Sequence, residues 1–218
     1  MGFLKKFTKQ EISWMMYDWA NSAHSVIVVT ILPIFFDTVA GYTADSVSSM
    51  STWGFATSLA MAIVALSAPF LGVFGDIRGM RKKLFTVFML LGVVSVAGLA
   101  FTPLMDFTAS TAAAGRVAAM VLVLYILSTI GFDASCIYYD AFLTDVTTEE
   151  RMDSVSTLGY GFGYIGVSTI PLLIFLIMNA VGVPMLTCLA FIFALTAVWW
   201  LVFSLPLLKN CEQTTGKP

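Results

Sequence analysis

Asp18, Asn21, Ser22 and Ser25 stand at i, i+3, i+4 and i+7, a spacing that places all four on one face of a helix. His24 lies on the flank of that face. Much later, Thr129, Asp133, Cys136 and Asp140 repeat at i, i+4, i+7 and i+11 and also share a face. Both sets lie in apolar surroundings, where an ionisable or strongly polar side chain is costly and turns away from lipid. Two chemistries fit such stripes. One is a solute-lined cavity in which Asp18, His24 or Asp133 takes up and releases a proton. The other is hydrogen bonding between helices of a bundle. Asp133 is the best-placed carboxylate, because Val117 to Phe132 ahead of it is uncharged. Cys136, Cys188 and Cys211 have no metal or disulfide spacing, and no metal or cofactor is expected.

The elements that carry these residues follow from composition. Of the 218 residues, 59% are hydrophobic and 11% charged, and the net charge is −2. A soluble domain has about 25% charged residues, so this chain cannot cover a water-facing surface. A soluble enzyme, a nucleic-acid binder and a disordered tail are excluded, and an integral, all-α membrane protein embedded in a lipid bilayer remains. A bilayer core takes about 20 apolar residues per helix. Charge-free runs then predict six transmembrane helices, at about 12–40, 48–75, 82–105, 114–142, 154–179 and 183–208. The last two separate at Asn179-Ala-Val-Gly-Val-Pro184, a turn composition. Membrane-barrel strands would alternate apolar and polar residues, and these runs do not.

Lys5, Lys6, Lys9, Arg78, Arg81, Lys82, Lys83, Arg151, Lys209 and Lys217 fall in one set of loops, and only Arg116 in the other. The positive-inside rule therefore makes both termini cytoplasmic. Residues 1–11 form an N-terminal segment, 12–208 the six-helix bundle, and 209–218 a polar, mobile tail. Asp140 and Asp145 lie nearer the cytoplasmic end of helix 4, within reach of water. The first helix is read as retained rather than cleaved, since Asp18 interrupts it.

Helix 5 contains Gly159, Gly163 and Gly166. On paper Gly161, Gly163 and Gly166 spell G-x-G-x-x-G, but no strand precedes them and no acidic residue follows at the distance a dinucleotide site needs. Small residues at i, i+4 and i+7 instead allow close helix packing. Helix 6 has aromatic residues spread around it and no polar stripe. It reads as peripheral, with Trp199 and Trp200 in an interfacial belt.

The loop between helices 2 and 3 reads Gly72-Val-Phe-Gly-Asp76-Ile-Arg78-Gly79-Met-Arg81-Lys82-Lys83. Gly72 and Asp76 four residues apart, followed by Gly79 and the basic residues, resemble the G-x-x-x-D-x-x-G-x-R/K loop motif of the major facilitator superfamily. Position 77 is Ile, where that family usually has a basic residue. Tyr17-Asp18-Trp19-Ala20-Asn21-Ser22-Ala23 resembles the first-helix signature of the vacuole-effluxer-like branch. Tyr138-Tyr139-Asp140-Ala141-Phe142-Leu143, Gly159 to Gly166 and Ala197 to Pro206 resemble its helix 4, 5 and 6 segments, in order along the whole chain.

The resemblance implies secondary transporters of twelve helices in two six-helix halves, of which this chain looks like the N-terminal one. It implies that helices 1 and 4 line the cavity, bringing Tyr139 in beside Asp140. Helices 2 and 5 would face the other half, and helices 3 and 6 would lie outside. It also implies that Gly72, Asp76, Arg78, Gly79, Arg81 and Lys82 form a conformational loop. A half cannot enclose a pathway, so a partner is implied, either a second copy as a homodimer or a separately encoded C-terminal half. Asp76 is then expected near Ser154 of the second subunit, at a helix N-terminus. The function expected is transport of a small polar solute, an amino acid or related metabolite by resemblance, by proton-coupled alternating access in a bacterial inner membrane. The rival reading is a non-transporting assembly or sensor protein. An intramembrane enzyme finds no support, since no His-Glu-x-x-His pattern or nucleophile elbow occurs.

Overall fold

The computed structural model describes residues 6–43, 49–164 and 169–216. It is helical throughout: α1 (Lys9–Val26), α2 (Leu32–Ala40), α3 (Ser49–Gly75), α4 (Arg81–Leu99), α5 (Thr111–Val146), α6 (Glu149–Phe162), α7 (Thr169–Ala180) and α8 (Met185–Asn210). Among the described residues five helices are long and apolar enough to cross a membrane, namely Lys9–Ala40, Ser49–Gly75, Arg81–Leu104, Thr111–Val146 and Met185–Asn210. Ile170–Ala180 is a shorter apolar helix. The chain is therefore a polytopic helical membrane protein.

Local chemistry explains the boundaries. Thr8 and Glu11 form a reciprocal capping box at the start of α1, which satisfies amides that the first turn leaves unpaired. α1 and α2 form one rod, joined by a π-helical turn at Ile27–Ile31 in which Leu32 N–H donates to Ile27 O. Pro33 follows at once and has no N–H for the ordinary i→i−4 bond, so the ladder widens just ahead of it. Ser110 caps α5 by accepting from Ala113 N–H at 3.1 Å. Gly79, with φ +80° in the α3–α4 turn, adopts a conformation that other residues resist. The expected start of helix 5 at residue 154 is too late. α6 begins at Glu149, because a helix can continue into water beyond its apolar stretch, where Glu149 and Glu150 suit its positive N-terminal end.

Packing runs α3–α5–α4–α8–α1–α6. The α4–α5 seam is set by glycine: a Cβ on Gly131 would strike the backbone of Gly92 and the carbonyl of Phe88. On its other side Gly92 lies under the Trp200 ring. Without a hydrophobic drive between helices in lipid, such close backbone approach is what holds a bundle. α3 is the outlier. It buries only Ala56, Ala60 and Gly75, and presents Phe55, Leu66, Phe70 and Phe74 outward.

Two expectations are corrected. Trp200 does not stand in an interfacial belt: it is 0% exposed and packs with α8 against α1 and α4, while Phe191, Val198 and Val202 of the same helix face outward. The lack of a polar stripe on α8 reflects packing by shape, aromatic ring into glycine notch. Nor is the segment after α8 loose. Residues 211–216 lie across the α3–α4 turn and the end of α5, held by hydrogen bonds from Gln213, Thr214 and Thr215.

Candidate functional site

The polar face of α1 meets α5 and α6 around a cavity of about 320 Å³. Asp18, Asn21, Ser22 and Ser25 line it from α1, Phe132, Cys136, Tyr139 and Asp140 from α5, and Tyr160 from α6, with Gly163 and Tyr164 just beyond. The helical spacing read from the sequence thus delivers all four α1 residues to one wall. Tyr160 OH donates to Asp140 at 3.1 Å. Asn21 Nδ2 points to Cys136 Sγ at 3.8 Å. Ser22 Oγ donates to the Asp18 carbonyl at 2.6 Å, so that hydroxyl bonds within its own helix. Tyr139 stacks on Trp14 with ring centroids 4.4 Å apart.

A second cavity, about 280 Å³, adjoins the first and shares Ser25 and Phe132 with it. His24, Thr129 and Asp133 line it together with Trp53, Thr57 and Tyr125. Thr57 and Tyr125 hydroxyls are hydrogen-bonded at 2.9 Å. The α5 face carrying Thr129, Asp133, Cys136 and Asp140 therefore runs across both cavities. His24 is 3% exposed, stacked on Phe132 at 4.8 Å and tilted against Trp200 at 5.1 Å. Neither ring nitrogen has a hydrogen-bond partner among the described residues.

Gly159 in α6 and Gly163 at its C-terminal cap face α1. A Cβ at Gly159 would come within 2.7 Å of the Trp14 ring, and one at Gly163 would overlap the Asp18 carboxylate. Close approach of α6 to the cavity wall depends on both. Gly166 lies outside the described residues.

The α3–α4 loop is more elaborate than its motif. Gly72 has open space beside it. Arg78 is exposed, and the Asp76 side chain is 68% exposed. Arg81 is buried instead. Its guanidinium donates to Ala141 O at 2.9 Å and to Asp145 Oδ2, and stands 3.7 Å from Asp76. Lys82 is half-buried beside it. Asp145 was expected to reach water, but its side chain is 0% exposed. Its Oδ1 accepts from the backbone N–H and the hydroxyl of both Thr214 and Thr215. Gln213 plugs the turn. Its Oε1 accepts from Gly79 and Arg81 N–H, and its Nε2 donates to Gly75 O at 3.0 Å. Burial at the foot of this strap pushes the Cys211 thiol up to about 12, leaving it protonated and unreactive.

The pairing of Glu11 escaped notice in the sequence. Glu11, buried, accepts from Arg151 Nε and Nη2 at 2.9 Å and from Thr147 Oγ1 at 2.7 Å. This pairing ties the start of α1 to the α5–α6 junction. Thr8-x-x-Glu11 was the available signal, since Thr and Glu at that spacing mark a helix start.

Residues 42–218 match the family described as vacuole effluxer Atg22 like. The chain is 39% identical over 218 residues to an uncharacterized MFS-type transporter, YxiO, of Bacillus subtilis (strain 168). That alignment takes in 96% of this chain and 48% of the relative, so the chain spans about half the length of the curated protein it matches. No solved structure matches. With the family match covering most of the chain and the relative aligned almost end to end along it, the chain belongs to the Atg22-like vacuole effluxer family of major facilitator transporters.

Proposed function

We propose that this chain is one six-helix half of a secondary transporter, with α6 and α7 together making the fifth crossing. It pairs with a second copy or with a separately encoded half. The assembly moves a small polar solute across a bacterial inner membrane by alternating access, with no catalytic step on the solute. The observation that carries the reading is the cavity between α1, α5 and α6. It is a polar, carboxylate-bearing wall on the side of an otherwise apolar bundle, which a lone half would present to lipid at high cost. The outward apolar face of α3 and the exposed Asp76 support a docking surface for the partner. Asp76 would there approach Ser154 of the other subunit, which lies in the second turn of α6 rather than at its N-terminus.

In this reading Asp133 or Asp18 carries the coupled proton, and the loop from Gly72 to Lys82 governs the change of state. The complex extracted from its membrane should have the mass of two six-helix chains. Reconstituted in vesicles with an imposed pH gradient, it should accumulate solute. Asp133→Asn should abolish the gradient-driven part and leave solute exchange intact. An Asp133→Asn complex with unchanged pH dependence removes Asp133 from the coupling step, and a monomer that moves no solute removes the transporter reading.

A further inference from the structure

The wall that this chain contributes is anionic. Asp18 and Asp140 face the larger cavity and Asp133 the smaller, and no lysine or arginine lines either one. The charges are dispersed rather than gathered. Among the described residues no three of His, Cys, Asp and Glu stand close enough to hold a metal ion. An inorganic cation that needs several oxygens around one point therefore finds no cage here.

Much of the remaining lining is aromatic, with Phe132, Tyr139 and Tyr160 around the carboxylates. Ring faces attract a cation that lies over them, and a carboxylate pairs with an ammonium through short, charge-assisted hydrogen bonds. Together they suit a positive group attached to an apolar body. An independent feature points to the same place. The Tyr139 side chain lines the cavity and is 1% exposed, yet its hydroxyl has no hydrogen-bond partner among the described residues. Its neighbours Trp14 and Gly159 hold the ring in position. A buried hydroxyl left unpaired is costly, and a guest with N–H groups would satisfy it.

We propose that this cavity binds the ammonium end of an organic amine. Asp18 and Asp140 act as counter-ions, the Tyr139 hydroxyl accepts an ammonium N–H, and the rings cover the body. The assignment names the solute class of the transporter reading and rests on that reading for what happens after binding. Binding itself is testable separately. If the partner is a second copy, the two-fold axis brings the same carboxylates to the opposite wall.

The test uses three probes with the same phenol body and different ends: tyramine, a cation; tyrosol, neutral; and 4-hydroxyphenylacetate, an anion. Binding to the purified complex is followed by calorimetry. Tyramine should bind at least tenfold more tightly than tyrosol, and 4-hydroxyphenylacetate should give no signal. Asp18→Asn and Asp140→Asn should each weaken tyramine at least tenfold and leave tyrosol unchanged. Tyr139→Phe should weaken tyramine severalfold.

Equal binding of the three probes overturns the amine assignment, as do absence of tyramine binding at millimolar concentration and asparagine variants that bind tyramine normally. Charge-selective binding without solute accumulation in vesicles would uphold the amine site and refute transport. Accumulation with charge-blind binding would do the reverse.

Discussion

Replacing Arg81 with Met isolates the energy of the clasp around the α3–α4 turn. The substitution keeps most of the apolar stem and removes the guanidinium from Asp145, whose side chain is 0% exposed. Removing one partner of a buried pair typically costs about 3–5 kcal/mol, because the other charge stays behind uncompensated. Here Asp145 Oδ1 keeps its donors from Thr214 and Thr215, while Oδ2 loses Arg81. The lower end applies, about 3 kcal/mol. For a chain of this size that is roughly 6–12 °C in thermal midpoint. Arg78→Met is the internal control: Arg78 is exposed in the same turn and should cost under about 0.5 kcal/mol. The assay is thermal unfolding of the detergent-solubilised protein, run as a double-mutant cycle with Asp145→Leu. Because the buried charge leaves with its partner, the double variant should recover most of the loss, giving a coupling of about 2 kcal/mol. Arg81→Met no worse than Arg78→Met, or strictly additive single effects, would refute the reasoning.

Gly131→Ala should cost about 3 kcal/mol in the same unfolding assay, because the added methyl meets the backbone of α4 rather than a side chain that could turn away. Gly159→Ala should be milder, about 1–2 kcal/mol, and should red-shift Trp fluorescence as the Trp14 ring is pushed from its hydrogen bond to Tyr139 O; an unchanged spectrum would contradict the tight fit. Gln213→Ala should speed hydrogen exchange at the Gly79 and Arg81 amides, both of which donate to the Gln213 side chain, and leave exchange in the middle of α4 as it was. Equal exchange at those two amides with and without Gln213 would show the strap to be undocked.

What the sequence disclosed was what repeats locally. Asp18, Asn21, Ser22 and Ser25 fall on one cavity because they share a helix, and 3.6-residue periodicity needs no knowledge of the neighbours. The α5 stripe was equally visible. Its division between two cavities was not, because Phe132 and the α1 side chains draw that line. The environment of His24 depended on Trp200, far along the chain. The placement of Trp200 was misread because polarity was the only cue to which face is inward, and in lipid a glycine notch serves as well. The tail was least legible. Gln213, Thr214 and Thr215 look like any polar end. Only the fold brings them to Asp145 and to the α3–α4 turn, across a long stretch of intervening chain.

That strap sets an order of events during synthesis. α3, α4 and α5 leave the ribosome well before α8, and residues 213–215 emerge only after it. Until then Asp145 has Arg81 but none of its threonine donors, and the amides of Gly79 and Arg81 lack their side-chain acceptor. That end of α3, α4 and α5 is thus finished by the latest-made residues described, a pairing of high sequence separation that forms slowly. Nascent protein stalled before α8 would expose an unfinished polar end at the membrane surface. That unfinished end is a simple mark of a bundle in which α8 has not yet docked.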